Sequence, residues 1–339
     1  MTSRLVLSAG GQQGVAYIGV VQALERHFNC RCLNQHYWSF EGTSAGAMTA
    51  FLLSLGFTSL ELLLHYQRAP VYCPDMAKLP RNFGLADMRT FLHKVIVDAL
   101  RSRGIAADEA DNITFRRLQE YTKKRLVIGI TIIGRDGPTE GTDSDGEYDA
   151  SVDNSPEWPV VDCLMASMAI PPLFGPVAIR VDDKTTVYAV DGAMANGFRF
   201  RYQDNCKLPI DSEVLGILLK PERSPSLVMG YSPRTHSVLQ YLMYMCELHF
   251  FFVASQRGKD IKSSNVITIR CTSAAGTIYQ PDANAMQELI AAGEKQTQDY
   301  FVLLGEQKRK ADVAITREMG NGISGVAPGK DSPEECRER

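Results

Sequence analysis

Gly42-Thr43-Ser44-Ala45-Gly46 is the segment of this chain whose residue types and spacing point most directly to chemistry. It follows the strand-like run Tyr37-Trp38-Ser39-Phe40-Glu41 and leads straight into a helical stretch, 45–55. G-x-S-x-G between a strand and a helix is the context of a nucleophile elbow. Gly42 and Gly46 allow the tight turn that exposes the Ser44 hydroxyl. The helix N-terminus beneath it favours negative charge where an oxyanion would form. A serine hydroxyl at neutral pH is a poor nucleophile and needs a base within hydrogen-bond reach. The tetrahedral oxyanion it generates needs fixed donors. Three other segments supply such groups. Ser8-Ala9-Gly10-Gly11-Gln12-Gln13-Gly14 is a glycine-rich turn whose backbone N–H groups form a nest for an anion. No Gly-Lys-Ser/Thr follows it, which excludes a P-loop, and G-x-G-x-x-G is not matched. The second is Ala166-Ser167-Met168-Ala169-Ile170-Pro171-Pro172-Leu173-Phe174, and the third is Val190-Asp191-Gly192-Ala193. An Asp-Gly pair after a strand is by itself also the mark of a plain turn. Near its reference pKa of about 3.9 an aspartate is a weak base at neutral pH. It would need a desolvated site, or proton transfer concerted with attack.

These segments must be positioned by alternating strands and helices. Arg4–Ser8 is a short strand, and a helix over Gly14–Phe28 places Val15, Ile18, Val21, Leu24 and Phe28 near one face. Residues 58–110 are helical with breaks at Pro70, Pro74 and Pro80, and Thr114 caps a helix that runs to Lys124. Leu126–Ile133 is a continuous β-branched run, the signature of a strand covered on both faces. Residues 134–158, polar and rich in Gly, Asp and Ser, read as a loop. A turn-rich strand pair spans 177–191, and further strands lie at Glu213–Leu219 and Val266–Arg270. Helices are expected at 236–257 and Ala283–Leu304. Residues 305–339 form a polar tail expected to be flexible. Alternation of this kind indicates a layered α/β domain over residues 1–304 with a largely parallel sheet.

In this order, the four chemical segments resemble the patatin-like phospholipases. That family carries a glycine-rich oxyanion loop near its N-terminus, a Gly-x-Ser-x-Gly elbow, an Ala-Ser-x-Ala-x-Pro block and an Asp-Gly-Gly/Ala base motif. The resemblance extends to Ile113–Thr131 and to Leu289-Ile-Ala-Ala-Gly293, and so covers residues 4 to 304. It implies a three-layer patatin-like fold with a mostly parallel central sheet flanked by helices. It implies Ser44 as nucleophile and Asp191 as base of a Ser–Asp dyad. The oxyanion hole falls on the backbone N–H groups of Gly10, Gly11 and Gln12. Gly42 and Gly46 shape the elbow, and Gly192 and Ala193 complete the base motif. The activity implied is lipid acyl hydrolysis with no cofactor and no metal, on a phospholipid or lysophospholipid substrate, with peripheral contact to a membrane or micelle surface. Two places depart from the family pattern. Its loop has three consecutive glycines and an Arg or Lys before the last glycine, where this chain has Ala9 and Gln13. Its Asn-x-Pro after the Asp-Gly pair is replaced by Asn196-Gly197-Phe198.

Other readings stay open at this level. An α/β-hydrolase esterase would use the same elbow with a Ser-His-Asp triad, but only one βα unit precedes Ser44, and such a triad needs a late histidine. Of the 6 histidines, only His236 and His249 are late. A non-catalytic lipid-binding module on the same scaffold is a third reading. In the acidic stretch Asp143–Asp149, Gly146 stands at position four rather than the sixth position of an EF-hand loop, which leaves a solvated loop. A net charge of −3 and a pI near 6.1 argue against nucleic acid as a partner. The 8 cysteines are scattered, and Cys30-Arg31-Cys32 lacks zinc-site spacing, so free thiols in a reducing cytoplasm are expected. No basic segment and cleavage site precede Arg4–Ser8, so no signal peptide is expected. The longest apolar stretch, Leu239–Ala254, is interrupted by Glu247 and His249. The basic groups Arg116-Arg117, Lys123-Lys124-Arg125 and Lys308-Arg309-Lys310 read as solvated helix faces, and Phe250-Phe251-Phe252 as core or the wall of an acyl channel.

Overall fold

The computed structural model describes residues 3–68, 88–136, 146–200, 214–221, 265–271 and 282–323, together with the single positions 242, 245, 248 and 249. The chain divides into two compact units, Met1–Thr297 and Gln298–Arg339. The described residues of the second unit, 298–323, are helical. The sheet and the candidate site lie in the first.

Eight strands among the described residues form one sheet: β1 (Arg4–Leu7), β2 (Ser39–Thr43), β3 (Arg125–Asp136), β4 (Gly146–Ser151), β5 (Val177–Arg180), β6 (Thr186–Asp191), β7 (Val214–Pro221) and β8 (Val266–Cys271). Their order is β5-β6-β3-β2-β1-β7-β8, with β4 paired to β3 off this path. The five strands from β3 to β8 pair in parallel, while β4, β5 and β6 add antiparallel pairings. This is the α/β architecture that the sequence implied, a mostly parallel central sheet flanked by helices. Every residue of β1 and β2 is buried, as strands covered on both faces require.

The helices are α1 (Ala16–His27), α2 (Ala45–Ser54), α3 (Ser59–Arg68), α4 (Met88–Ser102), α5 (Ala107–Ala110), α6 (Phe115–Thr122), α7 (Val160–Ser167), α8 (Ala193–Asn196) and α9 (Ala283–Ile323). The sequence of α2, AGAMTAFLLS, has no polar face, and all of its residues are buried. Against α1, the start of α9 packs backbone to backbone. A Cβ on Gly19 would meet the Glu294 nitrogen at 2.7 Å, and one on Gly293 the Ala16 carbonyl carbon at 3.1 Å. Thr114 caps α6 by accepting the Arg117 N–H at 3.3 Å.

β3 is the strand that builds the site. One edge of it pairs with β4 over Val127–Ile132. The opposite edge is divided: β2 takes Arg125–Gly129 and β6 continues from Ile130. Thr43 therefore ends opposite Gly129 and Asp191 ends opposite Ile130. The end of the strand before the elbow and the end of the strand before the Asp-Gly turn meet on neighbouring residues of β3.

Several expectations differ from what is observed. Within 134–158, read as a loop, residues 146–151 form β4. Their local composition favours a turn, but Glu147 and Asp149 find partners in Asn196 and Arg199, about 50 residues away in sequence. The same pairing removes two acids from the stretch read as solvated; the rest of it, up to residue 145, lies outside the described residues. Ile133 is 52% exposed rather than covered, at a register shift between Ile132 and Gly134. Gly14 belongs to a 3₁₀ turn, Gly11–Val15, that precedes α1. The helix expected at 236–257 falls outside the described residues apart from four positions.

Candidate active site

Ser44 sits between β2 and α2 with φ 55° and ψ −124°. For a residue with a Cβ, positive φ is strained by about 1–3 kcal/mol, and such strain persists only where the surroundings over-determine it. Here the surroundings are glycines. A Cβ on Gly42 would meet the Ala47 nitrogen at 2.6 Å, and one on Gly46 the Leu7 carbonyl oxygen at 2.6 Å. Both glycines are therefore required by close backbone approach. A third clamp comes from α7. The Ser44 N–H donates to Ser167 Oγ at 2.8 Å, and Ser167 Oγ donates to the Gly129 carbonyl at 2.6 Å. Ser167 thus ties the elbow to β3.

The Ser44 hydroxyl donates to Asp191 Oδ2 at 2.7 Å. The other carboxylate oxygen accepts the Ala193 N–H at 2.8 Å. The backbone of Asp191 is held on both sides: its N–H donates to the Ala169 carbonyl at 3.0 Å, and its carbonyl accepts from Thr131 Oγ1 at 3.0 Å. A Cβ on Gly192 would meet Thr43 Cγ2 at 2.8 Å, so the turn after Asp191 is glycine by necessity. Ser44 and Asp191 are both buried. Burial raises the Asp191 pKa from 3.8 to about 7; the Ala193 N–H, the Ser44 hydroxyl and the charge of Arg199 oppose that rise. A carboxylate at about 7 is matched to proton transfer near neutral pH.

The glycine-rich loop lies against the elbow. A Cβ on Gly14 would meet the Ala45 Cβ at 2.7 Å. The loop is anchored through Ser8. Its N–H donates to the Ile217 carbonyl at 3.0 Å, its Oγ accepts the Leu219 N–H at 2.9 Å, and its carbonyl accepts the Tyr17 hydroxyl at 2.5 Å. Gly10, Gly11 and Gln12 head the 3₁₀ turn, where the first N–H groups have no acceptor within the turn itself. Of the late histidines, His249 has its Nε2 2.9 Å from the Met194 carbonyl, and His236 lies outside the described residues.

Two residues near the site carried no sequence signal of their own or were passed over. Ser167 stands inside the Ala-Ser-x-Ala-x-Pro block, so the motif contained it, but its role depends on β3. Arg199 is buried, donates to the Ile130 carbonyl at 2.8 Å and pairs with Asp149. Nothing local to Phe198-Arg199-Phe200 announces a buried cation.

A model of the patatin-like phospholipase family matches residues 5–202. That span is more than half of the chain and contains Ser44, Asp191, Ser167, Arg199 and the glycine-rich loop. The chain belongs to the patatin-like phospholipase family. Among proteins similar to this patatin-like chain is a probable lipid hydrolase, 463L, of Invertebrate iridescent virus 6, 26% identical over 200 residues, 57% of this chain and 60% of the viral protein. The uncharacterized protein YqhO of Bacillus subtilis is 26% identical over 234 residues, 64% of this chain and 70% of YqhO. Among solved structures, VipD from Legionella pneumophila has the same fold, with a TM-score of 0.53 and 17% identity over 88% of this chain and 66% of VipD. The match thus spans less than two thirds of the viral protein and of VipD. Among the described residues no helix is long and apolar enough to cross a membrane.

Proposed function

We propose that this patatin-like chain is a lipid acyl hydrolase of the phospholipase A or lysophospholipase type, acting through a Ser44–Asp191 dyad. The observation that carries the reading is the 2.7 Å hydrogen bond from Ser44 Oγ to a buried carboxylate whose pKa is raised to about 7. Family membership and the name of the viral relative support a lipid ester as substrate.

Ser44 Oγ attacks the ester carbonyl carbon as its proton passes to Asp191 Oδ2. The oxyanion is met by backbone N–H groups of Gly10, Gly11 and Gln12 and by the N-terminus of α2. As the tetrahedral intermediate collapses, the leaving alcohol (a lysolipid or glycerophosphodiester) takes the proton from Asp191, which leaves an acyl-Ser44 ester. Water then attacks that ester, giving a proton to Asp191. Collapse of the second intermediate returns the proton to Ser44 Oγ and releases the fatty acid. Gly42 and Gly46 hold the nucleophile in its strained geometry, and Gly192 and Ala193 hold the base. Substrate in a membrane or micelle would be met at the surface.

The test is hydrolysis of a panel of phospholipids and lysophospholipids, alongside labelling by a fluorophosphonate. Ser44→Ala is expected to remove both activities and leave the circular dichroism spectrum unchanged. Loss of a covalent nucleophile lowers kcat by far more than a hundredfold, so a folded variant that keeps more than about 1% of activity refutes the role of Ser44.

A further inference from the structure

The buried cation behind β3 is not used by the steps above. Arg199 is 7% exposed and follows α8 by three residues. Its guanidinium pairs with Asp149 on β4, lies 3.9 Å from Glu147, and donates to the Ile130 carbonyl at 2.8 Å. Ile130 is the β3 residue paired with Asp191. Room for the side chain comes from Gly129, where a Cβ would collide with Arg199 Nε and meet Thr43 Oγ1 at 2.6 Å. Gly129 is also the residue whose carbonyl accepts Ser167 Oγ. Arg199 thus packs against the two β3 residues that carry the elbow and the base.

Burying a guanidinium is expensive unless its donors are matched and its charge is used. Here two carboxylates stand near it, and Glu147 is shared with Asn196 Nδ2 at 2.8 Å. Among the described residues, the other ionisable groups on the elements around Asp191 are paired with one another, kept neutral or placed further along the sheet. α2 and the loop from Ser8 to Val15 carry none. Glu41 on β2 is held by Arg4 and Arg125, Asp162 on α7 by Arg89, and Tyr188 on β6 donates to Asp136 on β3. Arg135 stands further along β3, beyond the bulge. Cys163 on α7 and Tyr148 on β4 are kept neutral by burial. His249 binds the Met194 carbonyl of α8. Among the described residues, Arg199 is the cation whose charge opposes the rise of the Asp191 pKa, after the Ala193 N–H and the Ser44 hydroxyl.

We propose that Arg199, clamped by Asp149 and the Ile130 carbonyl, is a positioning residue that holds the dyad's base in its charged, proton-accepting form. This rests on the dyad reading. Burial raises the Asp191 pKa, and a protonated Asp191 leaves Ser44 without an acceptor; the Ala193 N–H and the Ser44 hydroxyl oppose that rise first. A fixed positive charge across the strand opposes burial, while Asp149 attenuates that charge so that Asp191 still takes up and releases a proton near neutral pH.

The inference is tested by the pH profile of kcat/KM on one soluble ester, with the rate of fluorophosphonate labelling as a second readout. Arg199→Gln is expected to move the acid limb upward by about one pH unit. The loss is then about tenfold near pH 6 and close to none near pH 9. Arg199→Lys, which keeps the charge, is expected to leave the limb near its wild-type position. Asp149→Asn is expected to shift it the opposite way, downward. A purely structural arginine would instead lower the rate equally at every pH, and an Arg199→Gln profile of unchanged midpoint overturns the proposal. Should Arg199→Gln fail to fold, Asp149→Asn decides the matter: a downward shift supports the proposal and an unmoved limb refutes it. A Ser44→Ala protein that still hydrolyses the ester overturns the dyad itself, which a failed Arg199 series with an intact Ser44 requirement would not.

Discussion

Replacing Asp191 by Asn separates what this residue does for chemistry from what it does to the fold. The folded pKa of about 7 lies above the ordinary 3.8 because of burial. Between those values the folded protein keeps a proton that the unfolded chain has released. Stability therefore falls as pH rises from about 4 to about 7, and remains lowered above that range. The difference, 7 − 3.8, is about 3 units. At 1.36 kcal/mol per unit this is on the order of 4 kcal/mol of destabilisation by the ionised carboxylate. Asparagine is nearly isosteric and neutral. Its carbonyl oxygen can accept the Ala193 N–H, and its amide can donate to Ser44 Oγ. Asp191→Asn is expected to be more stable than the parent by roughly 2–4 kcal/mol near pH 8, and within about 0.5 kcal/mol of it near pH 3.5. Urea denaturation at the two pH values, followed by the fluorescence of Trp38 and Trp158, measures this directly. The same variant is expected to lose hydrolysis nearly as completely as Ser44→Ala, and the double variant to lose little more than either. Gain of stability with loss of function is the mark of a site kept strained for its work. A stability difference that is the same at both pH values, or an Asn variant less stable near pH 8, refutes the reasoning.

Ser167→Ala strands the Ser44 N–H and frees the Gly129 carbonyl, both buried; at about 1–3 kcal/mol for an unsatisfied buried group, a loss of roughly 2–3 kcal/mol is expected. A loss below about 0.5 kcal/mol in the same denaturation assay means that Ser167 does not hold the elbow. His249→Ala is expected to change kcat/KM less than about threefold, since the Ser44 hydroxyl already donates to Asp191; a collapse to the level of Ser44→Ala points to a Ser-His-Asp triad instead. Dialysis against EDTA is expected to leave turnover unchanged, because no stretch of the sequence has metal-ligand spacing; activity lost in chelator and restored by calcium counts against the mechanism.

The elbow was readable because it is a local event. Two glycines, a serine and an apolar helix lie within five residues of one another, and the steric demand that makes them necessary acts along the chain. β3 was readable for a similar reason: a strand covered on both faces tends to be a near-continuous apolar run, as Leu126–Ile132 is apart from Thr131, whereas the buried β2, Ser39–Thr43, carries no such run. Asp191 was legible as a residue type in a turn, and through the company of the other three segments. Its distance from Ser44 was not, because that depends on how β2 and β6 divide one edge of β3. β4 escaped notice because its acids are satisfied by Asn196 and Arg199, partners that no local pattern predicts. The raised pKa of Asp191 belongs to the same class. Desolvation, and a cation placed across a strand, are sums over residues far apart in sequence, and they exist only once the sheet has brought those residues together.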